Sequence, residues 1–92
     1  VSALDSLRYA LADALYVAEG RYGTLQDQVR WDLDDDCTCG WATELRRIRG
    51  EVTALLADEF DDGRKAGCVE SLRLIDALLT ALDAAPVASE AA

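Results

Sequence analysis

Leu4, Leu7, Leu11, Leu15, Ala18, Tyr22, Leu25, Val29 and Leu33 recur at steps of three or four residues, the spacing of one face of an α-helix. The phase passes through Gly20 and Gly23 unchanged. A loop between two helices has no reason to preserve rotational phase, so the pattern predicts one long helix over about 3–35, with a possible kink at the glycines. The alternative is a four-helix bundle broken at Gly20–Gly23. Each glycine costs about 1 kcal/mol in a helix interior, and Thr24 with Asp27 three residues later resembles a helix start. Trp41, Leu45, Ile48, Val52 and Leu55, widened by Leu56 and Phe60, predict a second helix over about 40–60, ended by Asp61-Asp62-Gly63. Val69, Leu72, Ile75, Leu79 and Leu82, broadened by Leu74 and Leu78, predict a third over about 64–84. Pro86 is expected to stop it, leaving 86–92 as a flexible C-terminal tail.

This reading predicts an all-α fold, a three-helix hairpin or bundle in a single domain over 1–85. The second and third helices would each be about 30 Å long and the first about 50 Å. A hairpin that short cannot cover such a rod, and an uncovered apolar stripe is normally a site for another chain. The expected partner-binding residues are therefore Leu4, Leu7, Leu11 and Leu15 from the stripe, Tyr9 and Tyr16 seven residues apart beside it, and Trp31. Trp31 falls off the stripe next to Arg30 and reads as an exposed indole. Trp41 keeps the apolar register and reads as core, closing one end of the bundle.

Composition agrees with the helical reading. The chain has 92 residues, 51% of them hydrophobic, with a single proline, and alanine and leucine dominate over β-branched residues. A core of this size is small, which again favours association. Eighteen acidic against nine basic residues give a net charge of -9, which on average repels duplex DNA and anionic membranes. No apolar run approaches the roughly 18 residues of a membrane span, and no basic segment precedes an apolar one. The expectation is a cytoplasmic protein, or a virion-associated one if phage-encoded. Of the nine basic residues only Lys65 is a lysine, a codon bias that points to a high-GC bacterium or one of its phages.

Chemistry concentrates in one stretch, WDLDDDCTCGW, Trp31 to Trp41. Asp32, Asp34 and Asp36 have the D-x-D-x-D opening of the EF-hand calcium loop, with a helix on either side, so the segment resembles that helix-loop-helix site. The resemblance spans about twelve residues. It departs where the family has its turn glycine, here Cys37, and where a bidentate glutamate closes the shell, here Thr43, with Glu44 one residue late. It implies calcium ligands at Asp32, Asp34, Asp36 and Glu44. A zinc site from Cys37, Cys39 and Cys68 would need thiolates on the order of 20 Å apart in a hairpin to converge. A Cys37–Cys39 redox pair would close a small strained ring beside carboxylates that suppress the thiolate. The simpler reading needs no ligand: Asp34, Asp35, Asp36 and Thr38 cap the next helix and favour the positive end of its dipole, with Gly40 in the turn. Cys68, beside Val69, reads as a small buried hydrophobe.

Histidine is absent, and with it the usual general base. Serines 2, 6, 71 and 89 have no activating partner in sight, so the expectation is a protein without enzymatic activity or cofactor. Arg46, Arg47 and Arg49 form the one basic cluster. Arg47 is placed to pair with Glu51 four residues on, which leaves Arg46 and Arg49 as possible nucleic-acid contacts. The arginine-bearing helix faintly resembles the short helices of phage DNA-packaging small terminase subunits, which implies a packaging accessory. The leading expectation is a non-enzymatic protein-protein interaction or assembly subunit, oligomeric, in a bacterial or phage complex. A calcium-binding module and a packaging accessory are the alternatives.

Overall fold

The first leucine stripe folds back on itself at Gly20. The computed structural model describes residues 3–20, 23–33 and 40–91, with all side chains in those ranges except Ala3, Asp32 and 84–91. The fold is all-α, without a strand among the described residues. Helix α1 spans Ala3–Glu19, and α2 spans Thr24–Asp27 and continues as a π-helical turn over Gln28–Asp32. Helices α3 and α4 span Trp41–Asp58 and Asp62–Ala91.

The single rod over 3–35 is thus not formed, and the break at Gly20–Gly23 is. Gly20 has φ of 72°, a left-handed conformation that glycine adopts without steric cost. Its N–H donates to the carbonyls of Tyr16 at 2.8 Å and Val17 at 3.2 Å, closing the last turn of α1. The Arg64 guanidinium donates to the Glu19 carbonyl and sets a positive charge at the negative end of the helix dipole. Gly23, rather than Thr24, is the residue preceding α2. The hydrophobic phase survives the break because both arms of the turn face the same core.

A second correction concerns Asp61-Asp62-Gly63, which begins a helix instead of ending one. Asp61 Oδ1 accepts from the Arg64 backbone N–H at 3.0 Å, the bond by which an N-cap carboxylate satisfies an orphan amide of the first turn. Glu59 Oε1 accepts from the N–H groups of Phe60 at 3.1 Å and Asp61 at 3.0 Å. Those bonds complete a three-residue connection between α3 and α4. Nor does Pro86 stop α4, which continues to Ala91. A proline forfeits one N–H bond, and the two alanines that precede it, Ala84 and Ala85, have the highest helix propensity.

Helices α1 and α4 run antiparallel, since the C-terminal end of α1 meets the first turns of α4. The short α3–α4 connection makes those two an antiparallel hairpin as well, tied along its length by Arg49 and Asp76 at 3.0 Å. Helix α2 and its π turn pack on α1 and are bonded to α3 through Arg47 and Gln28 at 2.7 Å. Helix α4 therefore packs on both α1 and α3, and the second arm packs on α1. The longest helix, α4, with 30 residues, is about 45 Å at 1.5 Å per residue and accounts for the 47 Å long axis.

The core takes Leu11, Leu15 and Ala18 from α1, Leu25, Val29 and Leu33 from the second arm, and Trp41, Leu45, Ile48 and Val52 from α3. Helix α4 adds Cys68, Leu74, Ile75, Leu78 and Leu82. On α4 the buried face is rotated from the predicted one: Val69 is exposed, while Cys68 and Ser71 are fully buried. The reason is the closeness of α1. A Cβ on Gly67 would lie 2.6 Å from the Ala18 nitrogen, so small side chains occupy that turn and Ser71 returns its hydroxyl proton to the Gly67 carbonyl at 2.7 Å.

Candidate functional site

The π turn is where the surface chemistry gathers. Val29 and Leu33 anchor it in the core, and Arg30 and Trp31 between them are exposed. Trp31 is 71% exposed, and the Arg30 guanidinium stands 5.3 Å from its ring centroid. A cation at that distance is held by the ring quadrupole, so indole and guanidinium are presented together as one exposed, semi-rigid unit. Trp and Arg are the side chains that most often dominate binding energy at protein interfaces. π-Helical turns are themselves rare and are frequent at functional sites.

The other expected partner-binding residues divide. Tyr9 and Tyr16 are exposed on α1. Leu4 and Leu7 are half-buried against the core. Leu11 and Leu15 are wholly buried and are corrected from contact residues to core residues, because α4 and the folded-back arm cover the stripe that a long rod would have left bare.

Of the expected calcium ligands, Asp34 and Asp36 lie outside the described residues, as do the side chain of Asp32, Cys37, Cys39 and the proposed capping run. Glu44, in the first turn of α3, bonds to Arg47 at 2.9 Å. Among the described residues no group of three acidic or cysteine side chains could hold a metal ion. The expected Arg47–Glu51 pair is present at 2.7 Å. Arg49 is engaged by Asp76 at 3.0 Å across the α3–α4 hairpin, whereas Arg46 is exposed. Exposed pairs of this kind contribute little to stability, but they lower the positive potential a phosphate would meet.

Cys68 is fully buried, and that burial, followed by the nearby Glu59 carboxylate, pushes its thiol pKa up. A raised value keeps the thiol protonated and unreactive.

Sequence reasoning overlooked Arg8. It occupies the apolar stripe four residues after Leu4, and only 2% of it is exposed. Its guanidinium donates to the Leu33 carbonyl at 3.3 Å and the Tyr9 hydroxyl at 3.0 Å, and lies 3.8 Å from Asp5. It also sits 4.9 Å from the Tyr9 ring centroid and 5.5 Å from that of Trp41. Arg8 therefore joins α1 to the end of the π turn and the start of α3, and Trp41 closes that end of the bundle as predicted. The available signal was a charged residue at a stripe position. Replacing Arg8 with alanine is expected to cost about 3 kcal/mol in a denaturant titration, from lost charged hydrogen bonds and packing. Lysine, lacking the planar fork, should recover less than half.

At the opposite end a shallow pocket of about 420 Å³ is lined by Glu19, Thr24, Leu25, Glu51, Leu55 and Arg64. Its arginine is occupied by the Glu19 carbonyl and by Glu59 at 3.5 Å. No helix among the described residues is long and apolar enough to cross a membrane. No family model, curated protein or solved structure matches this chain.

Proposed function

We propose that this chain is a non-enzymatic interaction subunit of a bacterial or phage assembly, and that it engages a protein partner, in the first instance a second copy of itself, through Trp31. The observation that carries the reading is the exposed Trp31 ring stacked by Arg30 on a turn whose neighbours are locked in the core. The leucine stripe no longer supports it, since the chain covers that stripe itself. Exposure of an indole of this size is unfavourable unless something covers it, by about 2 kcal/mol for a large apolar side chain. Its rigid anchoring lowers the entropy lost on binding.

The two tryptophans make the test simple. In a Trp41→Phe background Trp31 is the sole indole, and its emission is expected to move to shorter wavelength as concentration rises. Sedimentation equilibrium should show a dimer that Trp31→Ala abolishes, with the melting temperature changed by less than about 3 °C because a surface truncation leaves the core intact. A chain that stays monomeric at millimolar concentration, with unshifted Trp31 emission, defeats the self-association reading.

A further inference from the structure

We infer that the outer edge of the α3–α4 hairpin is a second interface, separate from Trp31, and that it takes an amphipathic helix of another protein whose apolar ridge is flanked by lysine and arginine.

Phe60 is the most exposed large apolar side chain among the described residues, at 91%, and Val69 is 57% exposed. Helical phase in the sequence places both on apolar faces. The backbone turns Phe60 out: α3 ends at Asp58 and Glu59 is extended, with φ of -89° and ψ of 135°, so the ring leaves the helical register one turn after Leu56. That geometry is tied down. The Glu59 carboxylate accepts from the Phe60 and Asp61 amides, Asp61 accepts from the Arg64 amide, and the Arg64 guanidinium returns to Glu59 at 3.5 Å. The backbone that holds Phe60 moves only if the start of α4 is undone.

The register of the hairpin extends this point into a strip. Arg49 pairs with Asp76 across the edge at 3.0 Å. About two turns nearer the connection on each helix, the same edge carries Leu56 opposite Val69, and between those levels Leu72 stands opposite Thr53. Leu56 and Leu72 are only partly buried against the core. Leu72, Leu56, Val69 and Phe60 therefore follow one another along an edge that runs about 16 Å from Arg49 to Phe60. A docked helix needs that length to set anchors at i, i+4 and i+7.

Charge selects the occupant. Asp58 and Asp62 flank Phe60, exposed and without an ion pair among the described residues. Nearby cations are engaged elsewhere, Arg64 by Glu59 and the Glu19 carbonyl and Arg73 by Glu70, and Lys65 is half-buried. A second copy carries the same net charge of -9 and is repelled. A basic partner is attracted and oriented.

A phage-displayed three-helix scaffold with one helix face randomised, selected on the intact chain, tests the inference. The selected faces are expected to carry a leucine or isoleucine ridge between lysines and arginines. They should bind Phe60→Ala about 30-fold more weakly than the parent chain and Val69→Ser about tenfold more weakly. Asp58→Asn combined with Asp62→Asn should weaken binding about fivefold at low salt and flatten its salt dependence. All of these positions are exposed, so melting temperatures should stay within about 3 °C of the parent, and Trp31→Ala should bind as the parent does. A selection without binders, binders with no excess of lysine and arginine, or binders that hold Phe60→Ala as tightly as the parent overturn the inference. Binders lost with Trp31→Ala alone overturn it as well, and leave the Trp31 reading standing.

Discussion

Gly67→Val is expected to be the most damaging single substitution in the molecule. The new Cβ would sit 2.6 Å from the backbone nitrogen of Ala18 and 2.8 Å from Val17 Cγ1. A backbone atom cannot rotate away, so α1 and α4 must separate along the interface that supplies most of the core. Overpacking typically costs 1–3 kcal/mol and more where backbones must shift; here about 4 kcal/mol is expected, a fall in melting temperature on the order of 20 °C for a domain of this size. Gly50 provides the opposite case. It lies exposed within α3, and a Cβ there meets nothing within 4 Å. Gly50→Ala should therefore stabilise by about 0.5–1 kcal/mol through helix propensity alone. Calorimetry on the two variants gives opposite signs if the α1–α4 approach is as close as described. Equal melting temperatures would show that it is not.

Leu15→Ala should rank next. Leu15 is fully buried between α1 and its neighbours, and removing a buried leucine to alanine costs about 2–5 kcal/mol in transfer and cavity terms. Stabilities of whole domains are about 5–15 kcal/mol, so the variant should be partly unfolded at 37 °C. Leu4→Ala, at a half-buried position, should cost about 1 kcal/mol. The comparison discriminates between two roles for the leucine stripe. A docking residue, once truncated, lowers association and spares the melt, while a core residue does the reverse. A Leu15→Ala protein that melts with the parent chain yet loses its oligomer would return the stripe to the surface.

The all-α class was legible because periodicity reports which residues share a face, and a face is a local property of the chain. Leu45, Ile48 and Val52 were placed in the core by spacing alone. The same spacing could not locate the break after Glu19, because one continuous helix and a folded hairpin present the same stripe. The choice rested on an arginine 45 residues away. Likewise Asp61-Asp62-Gly63 is chemically suited both to ending one helix and to capping the next, and the decision between them lies in which amide finds the carboxylate.

The candidate site was legible in part. Trp31 stood out as an indole off the apolar stripe, and an off-stripe residue on a surface helix faces outward whatever the partner rods do. Arg8 did not stand out, since the meaning of one cation in an apolar register depends on what is packed over it: here the Leu33 carbonyl and the Tyr9 and Trp41 rings. Leu11 and Leu15 looked like docking residues only while the first helix was taken to outreach the others.

The sequence by itself settled what is encoded by neighbours three and four residues apart: helical class, amphipathic faces, the Arg47–Glu51 pair and the outward Trp31. Tertiary structure alone decided where the chain reverses, which leucines are sheltered and how near α1 lies to α4. Those outcomes depend on contacts between residues distant in sequence, whose energies compete at the level of one positive-φ glycine, one guanidinium latch and the missing side chain of Gly67.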